Sequence, residues 1–359
     1  MVSLVETGNT EQSNRIVTLP IAFPYSPMEA LQVDEPPVGP EWHYEPKWDG
    51  FRCLVFRDGV DVKLQSKSGR PLTRYFPELV EAIRQVKSRT FVLDGEIVVL
   101  ANGSFSFDSL LQRIHPAESR IRALSVETPA ILIVFDLLVD ADNRSLVDHP
   151  LSERRQALEH FFASQVRDTT HLRLSPATTK VTKTKSWLTR AGTMLDGVVA
   201  KRLNVEYRSD DRTGMQKIKN YRSVDCVVGG FRYGEGAKLV GSLLLGLYDK
   251  RGLLHHVGFT SAIKRDEKAK LTKKLESLIA PPGFTGKAPG GPSRWSTKRS
   301  GEWKPLRPEL VVEVCYDHFS EERFRHGTTL LRWRPDKAAR QCTFEQVKLV
   351  KGNLLALLK

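Results

Sequence analysis

The chain has 359 residues, a hydrophobic fraction of 40% and a formal net charge of +13 at neutral pH. This length favours two domains, and this hydrophobic content is sufficient for real cores. The excess positive charge predicts a polyanionic partner, with an ordinary basic soluble protein as the alternative. No apolar run approaches the ~20 residues that span a bilayer, and residues 1–17 lack the apolar core of a signal peptide. Four scattered cysteines without a CxxC pair indicate neither a zinc site nor a disulfide framework, so we expect a reducing cytoplasm.

The first part of the chain predicts a flexible arm at residues 1–19 and then a domain at 20–223. Its apolar patterns mix periods of two and 3.6, which is typical of an α+β domain with a mixed sheet. The nearly continuous apolar run at 130–139 predicts a strand buried on both faces. Other strands are expected at 42–47, 50–57, 62–66, 91–100, 198–201 and 216–219, and helices at 76–86, from 107, and at 152–163 with Ser152 as the N-cap.

Residues 224–359 show a different, hairpin-like pattern. One lysine-rich helix is expected at 266–278, followed by a proline- and glycine-rich loop at 281–292. Five strands with one helix are typical of a small OB barrel, a fold that often binds nucleic acid. Adjacent His255 and His256 point to opposite faces of a strand, which favours packing over metal binding. The predicted strands are 225–231, 243–249, 253–260, 310–316 and 329–333.

The segment Glu-Pro-Lys-Trp-Asp-Gly-Phe-Arg at residues 45–52 offers a nucleophile. An amine such as Lys47 attacks an electrophile only when its surroundings hold it neutral, because a lysine in water has a pKa of roughly 10.4. The fixed cation Arg52 and a bound metal would both disfavour the ammonium form. Asp49 could align the lysine and its electrophile. Taken alone, the segment is equally typical of a turn after a strand.

Two further groups suit phosphate chemistry. Lys217 and Lys219 alternate on a predicted strand, so both point to one face and could hold a phosphate there. Glu96 and Asp196 offer the oxygen ligands that Mg²⁺ prefers. The alternatives are a solvated strand edge and surface salt bridges. No GxxxxGK[ST] loop is present, so any ATP would be bound by strands and lysines.

From about residue 20 to the C-terminus, an ordered set of segments resembles the nucleotidyltransferase module of ATP-dependent DNA ligases, in particular the small bacterial ligase C group. Each segment alone is weak evidence for this family, whereas the complete set in this order is specific. The matching segments are EPKWDGFR at 45–52, SKSG at 66–69, DGEI at 94–97, VFDLL at 134–138, DGVVAKR at 196–202, KIK at 217–219 and RWRPDK at 332–337.

The resemblance assigns roles to individual residues. It implies that Lys47 attacks the α-phosphate of ATP, releases pyrophosphate and retains AMP as a phosphoramide. It also implies that Phe135 stacks on adenine and Glu45 contacts the adenine amine. The remaining implied roles are Lys67 at the ribose, Glu96 at the ribose or a metal, Asp196 at the metal, Lys217 and Lys219 at the α-phosphate, Arg52 at AMP or the nick phosphate, and Arg334, Asp336 and Lys337 at the pyrophosphate.

Three positions depart from the family pattern. Lys67 stands where arginine is usual, so a bidentate contact becomes a point charge. Asp196 stands where glutamate is usual, which shortens the reach to a metal by one methylene, and Met215 stands where tryptophan is frequent. Each departure keeps the required type of group.

The resemblance implies an α+β, two-domain covalent nucleotidyltransferase, with an adenylation domain at 20–223 and an OB-fold domain at 224–359. A hinge is expected near 220–225. Implied cofactors are ATP and Mg²⁺ or Mn²⁺. The implied partner is nicked duplex DNA, and break-repair proteins or a primase-polymerase are further candidate partners. A monomer in the bacterial cytoplasm, associated with the nucleoid and acting in repair rather than bulk replication, is expected.

Two other readings stay open. An RNA ligase or capping enzyme shares the lysine chemistry, although capping would require GTP. Glu45 favours adenine, because a carboxylate accepts from its amine and repels the O6 atom of guanine. A catalytically silent basic protein that binds nucleic acid through its barrel is the second alternative.

Overall fold

The computed structural model of the chain describes residues 19–101, 104–191, 195–234, 236, 238–290, 302–348 and 357–358. The predicted arm lies outside these residues apart from Leu19. The chain divides into two compact units. The first unit comprises Met1–Thr184, Val199–Lys217 and Leu355–Lys359, and the second comprises Lys185–Val198 and Ile218–Leu354.

A central sheet organises the first unit. The predicted apolar strand at 130–139 is confirmed as Ala130–Val139, and nine of its ten residues are buried. The strand order is β4-β3-β5-β7-β8, with β6 paired to β5. The strands are β3 (Phe51–Asp58), β4 (Asp61–Ser66), β5 (Thr90–Ala101), β6 (Ser104–Phe105), β7 (Ala130–Val139) and β8 (Leu172–Leu174). All pairs are antiparallel except β7 with β8.

A smaller sheet of four strands has the order β1-β10-β9-β2. Its strands are β1 (Leu31–Gln32), β2 (Trp42–Lys47), β9 (Gly197–Arg202) and β10 (Met215–Lys219). The sequence predicted β2, β9 and β10 but not the two-residue β1.

The helices of this region are α1 (Pro77–Arg84), α2 (Phe107–Gln112), α3 (Glu118–Glu127), α4 (Leu151–Gln165) and α5 (Val181–Ala191). The expectation that Ser152 caps α4 is wrong, because Pro150 occupies the N-cap and makes no side-chain cap bond. The first amides of α4 are satisfied by backbone instead: Leu151 donates to the Val205 carbonyl and Ser152 to the Leu203 carbonyl. Helices α3 and α5 and strand β8 were not predicted.

Side chains alternate between two cores on the central sheet of the first unit. One face carries Cys53, Val55 and Leu93, which belong to the same core as the α4 residues Leu158 and Phe161. The opposite face carries residues such as Leu54, Phe56 and Val92, which pack with Met28 and Tyr207. Burial on both faces explains why β7 is apolar without alternation.

The second unit is built on an antiparallel sheet of order β13-β12-β11-β15-β18, with β14 paired to β11. Strands β16 and β17 form a separate hairpin. Its helix α6, Lys268–Glu276, is the predicted lysine-rich helix, shortened by two residues at each end. The strands are β11 (Arg222–Tyr233), β12 (Val240–Tyr248), β13 (Leu254–Thr260), β14 (Lys304–Pro305), β15 (Val311–Tyr316), β16 (Phe319–Ser320), β17 (Arg323–Phe324) and β18 (Thr329–Trp333).

Two glycines of β11 make room for aromatic side chains. A Cβ atom at Gly229 would lie 2.6 Å from the Phe284 ring, and one at Gly230 would lie 2.6 Å from the Trp303 ring. The register of β11 against β12 shifts between Val228 and Gly230, as expected for a bulge at this Gly-Gly pair.

His256 is buried and His255 half-buried, and the Phe284 ring lies 5.4 Å from the His256 ring, in agreement with the predicted packing role.

The four cysteines are free thiols. Within the described ranges, no helix has the length and apolar character needed to cross a membrane.

Candidate active site

Lys47 ends strand β2 and lines a cavity of about 210 Å³ in the first unit. Seven of the predicted site residues line this cavity: Glu45, Lys47, Arg52, Lys67, Glu96, Phe135 and Lys217. They come from segments between residues 45 and 217, so folding brings together positions far apart in the chain. Further lining residues are Glu29, Ala30, Pro46, Trp48, Val199, Lys201 and Met215.

The turn after Lys47 is fixed against strand β5. The Gly50 amide donates to Glu96 Oε1 at 3.2 Å, and Arg52 is the cross-strand partner of Glu96. A Cβ atom at Gly50 would lie 2.1 Å from the Ile97 carbonyl oxygen, so only glycine allows this approach. The turn interpretation and the nucleophile interpretation are therefore compatible, since the turn itself positions Lys47 beside Glu96.

The carboxyl group of Glu96 binds its proton more tightly than an ordinary glutamate does. Burial raises its pKa to about 7, against the lowering effects of Lys47 and Arg52, while Asp49 and Asp94 raise it further. A buried carboxylate with too little positive charge around it is well suited to bind a metal cation. This environment fits the metal role that the resemblance implied for Glu96.

Arg52 is held by a partner that sequence reasoning did not select. Its Nε and Nη2 donate to the two carboxylate oxygens of Asp94 at 2.6 Å each, and Nη2 also donates to the Met28 carbonyl at 3.2 Å. The Tyr207 hydroxyl donates to Asp94 Oδ2 at 2.6 Å. Asp94 is fully buried, so this bidentate pair orients the guanidinium and offsets its charge. The signal in the sequence was the aspartate two residues before Glu96.

Phe135 is more exposed than its neighbours on strand β7. It is the one residue of β7 that is only half-buried. The Arg52 guanidinium carbon lies 4.8 Å and the Lys201 Nζ 4.4 Å from its ring centroid. Both cations lie within the distance at which a positive charge is attracted to the electron-rich face of an aromatic ring.

Lys201 is the second residue that sequence reasoning missed. It is 4% exposed and its Nζ donates to both carboxylate oxygens of Glu45 at 3.0 Å. Burial raises the pKa of Glu45, but Lys201 and then His43 and Arg155 outweigh it and hold the value at about 2. Glu45 is therefore an ionised, ion-paired group. The signal was the position of Lys201 in the segment at 196–202, from which only Asp196 was selected.

Lys67 lies at the cavity rim with its side chain 59% exposed. Its Nζ lies 2.5 Å from Glu29 Oε1, and Arg212 Nη2 lies 2.6 Å from Glu29 Oε2. Glu29 was not predicted. Its two cationic partners and their hydrogen bonds lower its pKa, with Lys67 as the largest cause.

Two further predicted residues belong to the second unit, where each has a partner from the same unit. Lys219 Nζ donates to Asp317 Oδ2 at 2.8 Å, and Asp196 Oδ1 lies 2.6 Å from His318 Nε2. Burial raises the pKa of Asp317, but Lys219 and His326 outweigh it and hold it at about 2. Lys217, on the same strand as Lys219, lines the cavity of the first unit.

Arg334, Asp336 and Lys337 form one cluster in the second unit. Arg334 Nη1 donates to Asp225 Oδ1 at 2.9 Å, and its Nη2 donates to Asp336 Oδ2 at 2.8 Å. Lys337 Nζ lies 3.0 Å from Asp225 Oδ2. Asp225, on β11, is 7% exposed and was not predicted as a site residue.

The fold and the residues around Lys47 define a class: an α+β covalent nucleotidyltransferase whose C-terminal part has an OB fold, as the sequence predicted. Residues 29–219 match the family model of the ATP dependent DNA ligase domain, and residues 236–337 match that of the ATP dependent DNA ligase C terminal region. The chain belongs to the ATP-dependent DNA ligases, which confirms the predicted family and enzyme class. Enzymes of this family use ATP with a covalent AMP intermediate and a divalent cation, and they act on nicked DNA.

Curated relatives match almost the whole chain. DNA ligase C2 of Mycolicibacterium smegmatis is 44% identical over 345 residues, covering 92% of this chain and 96% of the relative. DNA ligase C of Mycobacterium tuberculosis is 42% identical over 345 residues, covering 92% and 95%. Among solved structures, a Lig E DNA ligase aligns over 86% of this chain and 100% of its own with a TM-score of 0.51. Its sequence identity is 14%, so this likeness concerns the fold.

Proposed function

We propose that this ligase seals nicks in duplex DNA through AMP carried on the Nζ atom of Lys47. The observation that carries the proposal is the cavity of the first unit, which Lys47 lines together with an aromatic ring, three carboxylates and several cations. These are the groups that a nucleotide needs: a stacking surface, a base-specific contact and neutralisation of its phosphates.

The adenine would stack on the half-exposed ring of Phe135. Glu45 would accept from the adenine amine, while the neighbouring Lys201 would donate to a ring nitrogen of the base. Guanine presents an oxygen and an N–H at the same edge, so both contacts would be mismatched. The pair of Glu45 and Lys201, with Nζ 3.0 Å from each oxygen, therefore favours ATP over GTP.

Three transfers at phosphorus complete the reaction. The Lys47 Nζ lone pair attacks the α-phosphorus, a proton leaves the nitrogen, and pyrophosphate departs with the electrons of the broken P–O bond. An oxygen of the 5′-phosphate at the nick then attacks the phosphorus of the AMP on Lys47, and the P–N bond breaks as Nζ takes up a proton. Finally the 3′-hydroxyl attacks that phosphate, loses its proton and expels AMP. Lys217 and Lys219 would neutralise the α-phosphate, Asp49 would align Lys47, Lys67 would contact the ribose, and Arg52 would contact AMP or the nick phosphate.

Glu96 and Asp196 would hold the divalent cation. When bound, the cation supplies positive charge against the negative charge of the phosphates. The elevated pKa of Glu96, about 7, supports this assignment, because an under-neutralised carboxylate gains most from a cation.

Arg334, Asp336 and Lys337 would orient pyrophosphate during the first transfer only. We assign the adenylation domain to residues 20–223 and the OB-fold domain to 224–359, with a hinge near 220–225. Such a hinge would let the OB-fold domain serve adenylation and DNA binding in turn.

The biological setting is part of the proposal. A LigD relative, 30% identical over 306 residues, is named as a non-homologous end joining DNA repair protein. A repair role in the bacterial cytoplasm, at the nucleoid, fits this relationship. A monomer that works with break-repair proteins or a primase-polymerase is the corresponding assembly.

The first test is covalent labelling with α-labelled ATP and Mg²⁺, followed by peptide mapping. We expect label on Lys47 in the wild type and in Lys63→Ala, which removes an exposed lysine of β4, and none in Lys47→Ala. DNA binding by Lys47→Ala should persist. Label retained in that variant would refute the nucleophile.

The same preparation separates the alternatives. Sealing of a nick in duplex DNA distinguishes a DNA ligase from an RNA ligase. Labelling with GTP instead of ATP would indicate a capping enzyme. No label with either nucleotide, in protein that is not already adenylated, would indicate the silent nucleic-acid-binding protein.

A further inference from the structure

Asp225 is the shared partner of two cations in the second unit. Its Oδ1 accepts from Arg334 Nη1 at 2.9 Å, and its Oδ2 lies 3.0 Å from Lys337 Nζ. One carboxylate thus fixes the guanidinium and the ammonium side by side, each on a different oxygen. The side chain of Asp225 is 9% exposed, against 18% for Arg334 and 26% for Lys337.

The backbone of Asp225 is fixed as well. It lies in β11 opposite Glu313 of β15, and its carbonyl accepts from Gln346 Nε2 at 3.1 Å. Its amide donates to Gln346 Oε1 at 3.4 Å. A carboxylate anchored by strand pairing and by a side-chain amide has little freedom, so the two cations take their positions from it.

Asp336 has a different role in the same cluster. It accepts from Nε and Nη2 of Arg334, on the far side of the guanidinium from the bond to Asp225. Asp336 therefore orients Arg334, whereas Asp225 sets the position of Arg334 relative to Lys337. The carboxylate of Asp225 is the contact that these two long, flexible side chains share, so it sets their spacing.

We propose that Asp225 is a positioning residue that organises Arg334 and Lys337 into a two-pronged grip for the pyrophosphate portion of ATP. This inference rests on the proposed function of that pair. A pre-organised pair loses less side-chain freedom when the polyanion arrives, and two adjacent cations can neutralise the two phosphoryl groups of pyrophosphate. Asp225 touches neither substrate nor metal in this account and acts through its two partners.

The test separates the first chemical step from the last. Asp225→Asn keeps the shape of the side chain but removes its charge and one of its two acceptor oxygens. We expect single-turnover labelling of Lys47 with ATP to slow about ten-fold or more, and pyrophosphate-driven loss of AMP from the labelled enzyme to slow by a similar factor. Sealing of a nick that already carries AMP on its 5′-phosphate should stay within about two-fold of the wild type.

Asp249→Asn is the matched control, because Asp249 is another ion-paired aspartate of the second unit that accepts backbone and Arg251 bonds. It should leave all three rates near wild type. Labelling by Asp225→Asn at the wild-type rate would overturn the inference. Equal slowing of labelling and of the sealing of a nick that already carries AMP would also overturn the inference, since a purely structural role would slow both steps alike.

Epistasis provides a second criterion. In the variant Arg334→Ala/Lys337→Ala, adding Asp225→Asn should slow labelling by less than about two-fold, because the groups it positions are gone. A further ten-fold loss would overturn the inference. Should Asp225→Asn not fold, Asp225→Glu keeps the charge but displaces the grip by one methylene. It should slow labelling about five-fold with normal pre-adenylated sealing, and unchanged labelling would overturn the inference.

The proposed function itself is judged on the wild type. If the wild type forms no adduct on Lys47, the proposed function fails. If it forms the adduct and Asp225→Asn does so equally fast, only the role of Asp225 fails.

Discussion

Replacing Lys201 by methionine tests how the base-specific contact is built. The substitution keeps an unbranched side chain of similar length but removes the ammonium that lies 3.0 Å from both oxygens of Glu45. Glu45, 2% exposed, would then be a buried carboxylate whose remaining neighbours are the His43 ring at 3.2 Å and the Arg155 guanidinium at 4.0 Å. Removing one partner of a buried ion pair costs about 3–5 kcal/mol.

The proton affinity of Glu45 gives an independent magnitude. Lowering its pKa from the ordinary 4.5 to about 2 corresponds to about 3 kcal/mol in favour of the ionised folded form. Because the folded-state pKa is depressed, this stabilisation is present above pH 4.5 and is lost as the pH falls towards 2. His43 and Arg155 retain part of it in the variant. We therefore expect Lys201→Met to lose about 3 kcal/mol of unfolding free energy at neutral pH.

The assay is urea unfolding followed by intrinsic tryptophan fluorescence, to which the buried residues Trp42 and Trp48 contribute, together with labelling by ATP and by GTP. Lys201→Met should also lose its preference for ATP. The double variant Glu45→Gln/Lys201→Met should be more stable than Lys201→Met, because the unpaired buried charge is gone. A Lys201→Met variant within about 1 kcal/mol of the wild type would refute the reasoning, as would strictly additive losses in the double variant.

Three further predictions follow from the first unit. Gly50→Ala should abolish labelling and cost about 3 kcal/mol or more, seen as a lower melting temperature, because its Cβ would lie 2.1 Å from the Ile97 carbonyl oxygen. In metal-free protein, the raised pKa of Glu96 favours folding below pH 4.5 and this contribution is lost as the pH rises through about 7, so Glu96→Gln should remove that part of the pH dependence of unfolding. Asp94→Asn should slow labelling about 100-fold by releasing Arg52, and a normal labelling rate would contradict the role of this pair.

The sequence predicted the strands of five or more residues, whereas it missed the shorter strands and helices α3 and α5, for a physical reason. Strand β7 is buried on both faces, so its whole length is apolar and its bounds were predicted correctly. Helix α3 buries only Ile121 and Leu124, which is too sparse a pattern for a helical period to emerge. The start of α4 was assigned to a serine cap, whereas backbone carbonyls of residues 203 and 205 satisfy its first amides. Contacts between segments 50 residues apart leave no local signal.

The candidate site shows the same limit in its partners. The ordered motifs predicted seven residues of one cavity, because each motif carries a distinctive local pattern. The counter-ions of these residues were missed. Asp94 lies 42 residues from Arg52, and Lys201 lies 156 residues from Glu45. An aspartate or a lysine is common in any sequence, so only the fold reveals that it neutralises a particular group.

These counter-ions change the meaning of the net charge of +13. In the described part of the chain, several cations assigned to nucleotide chemistry already contact a carboxylate: Arg52 with Asp94, Lys67 with Glu29, Lys201 with Glu45, Lys219 with Asp317, and Arg334 and Lys337 with Asp225. A nucleotide phosphate therefore meets cations that are already partly neutralised, so its binding free energy depends on geometry more than on bulk attraction. The fixed spacing that Asp94 and Asp225 impose on their partners matters because cations held in place by a carboxylate need not move when the phosphate binds.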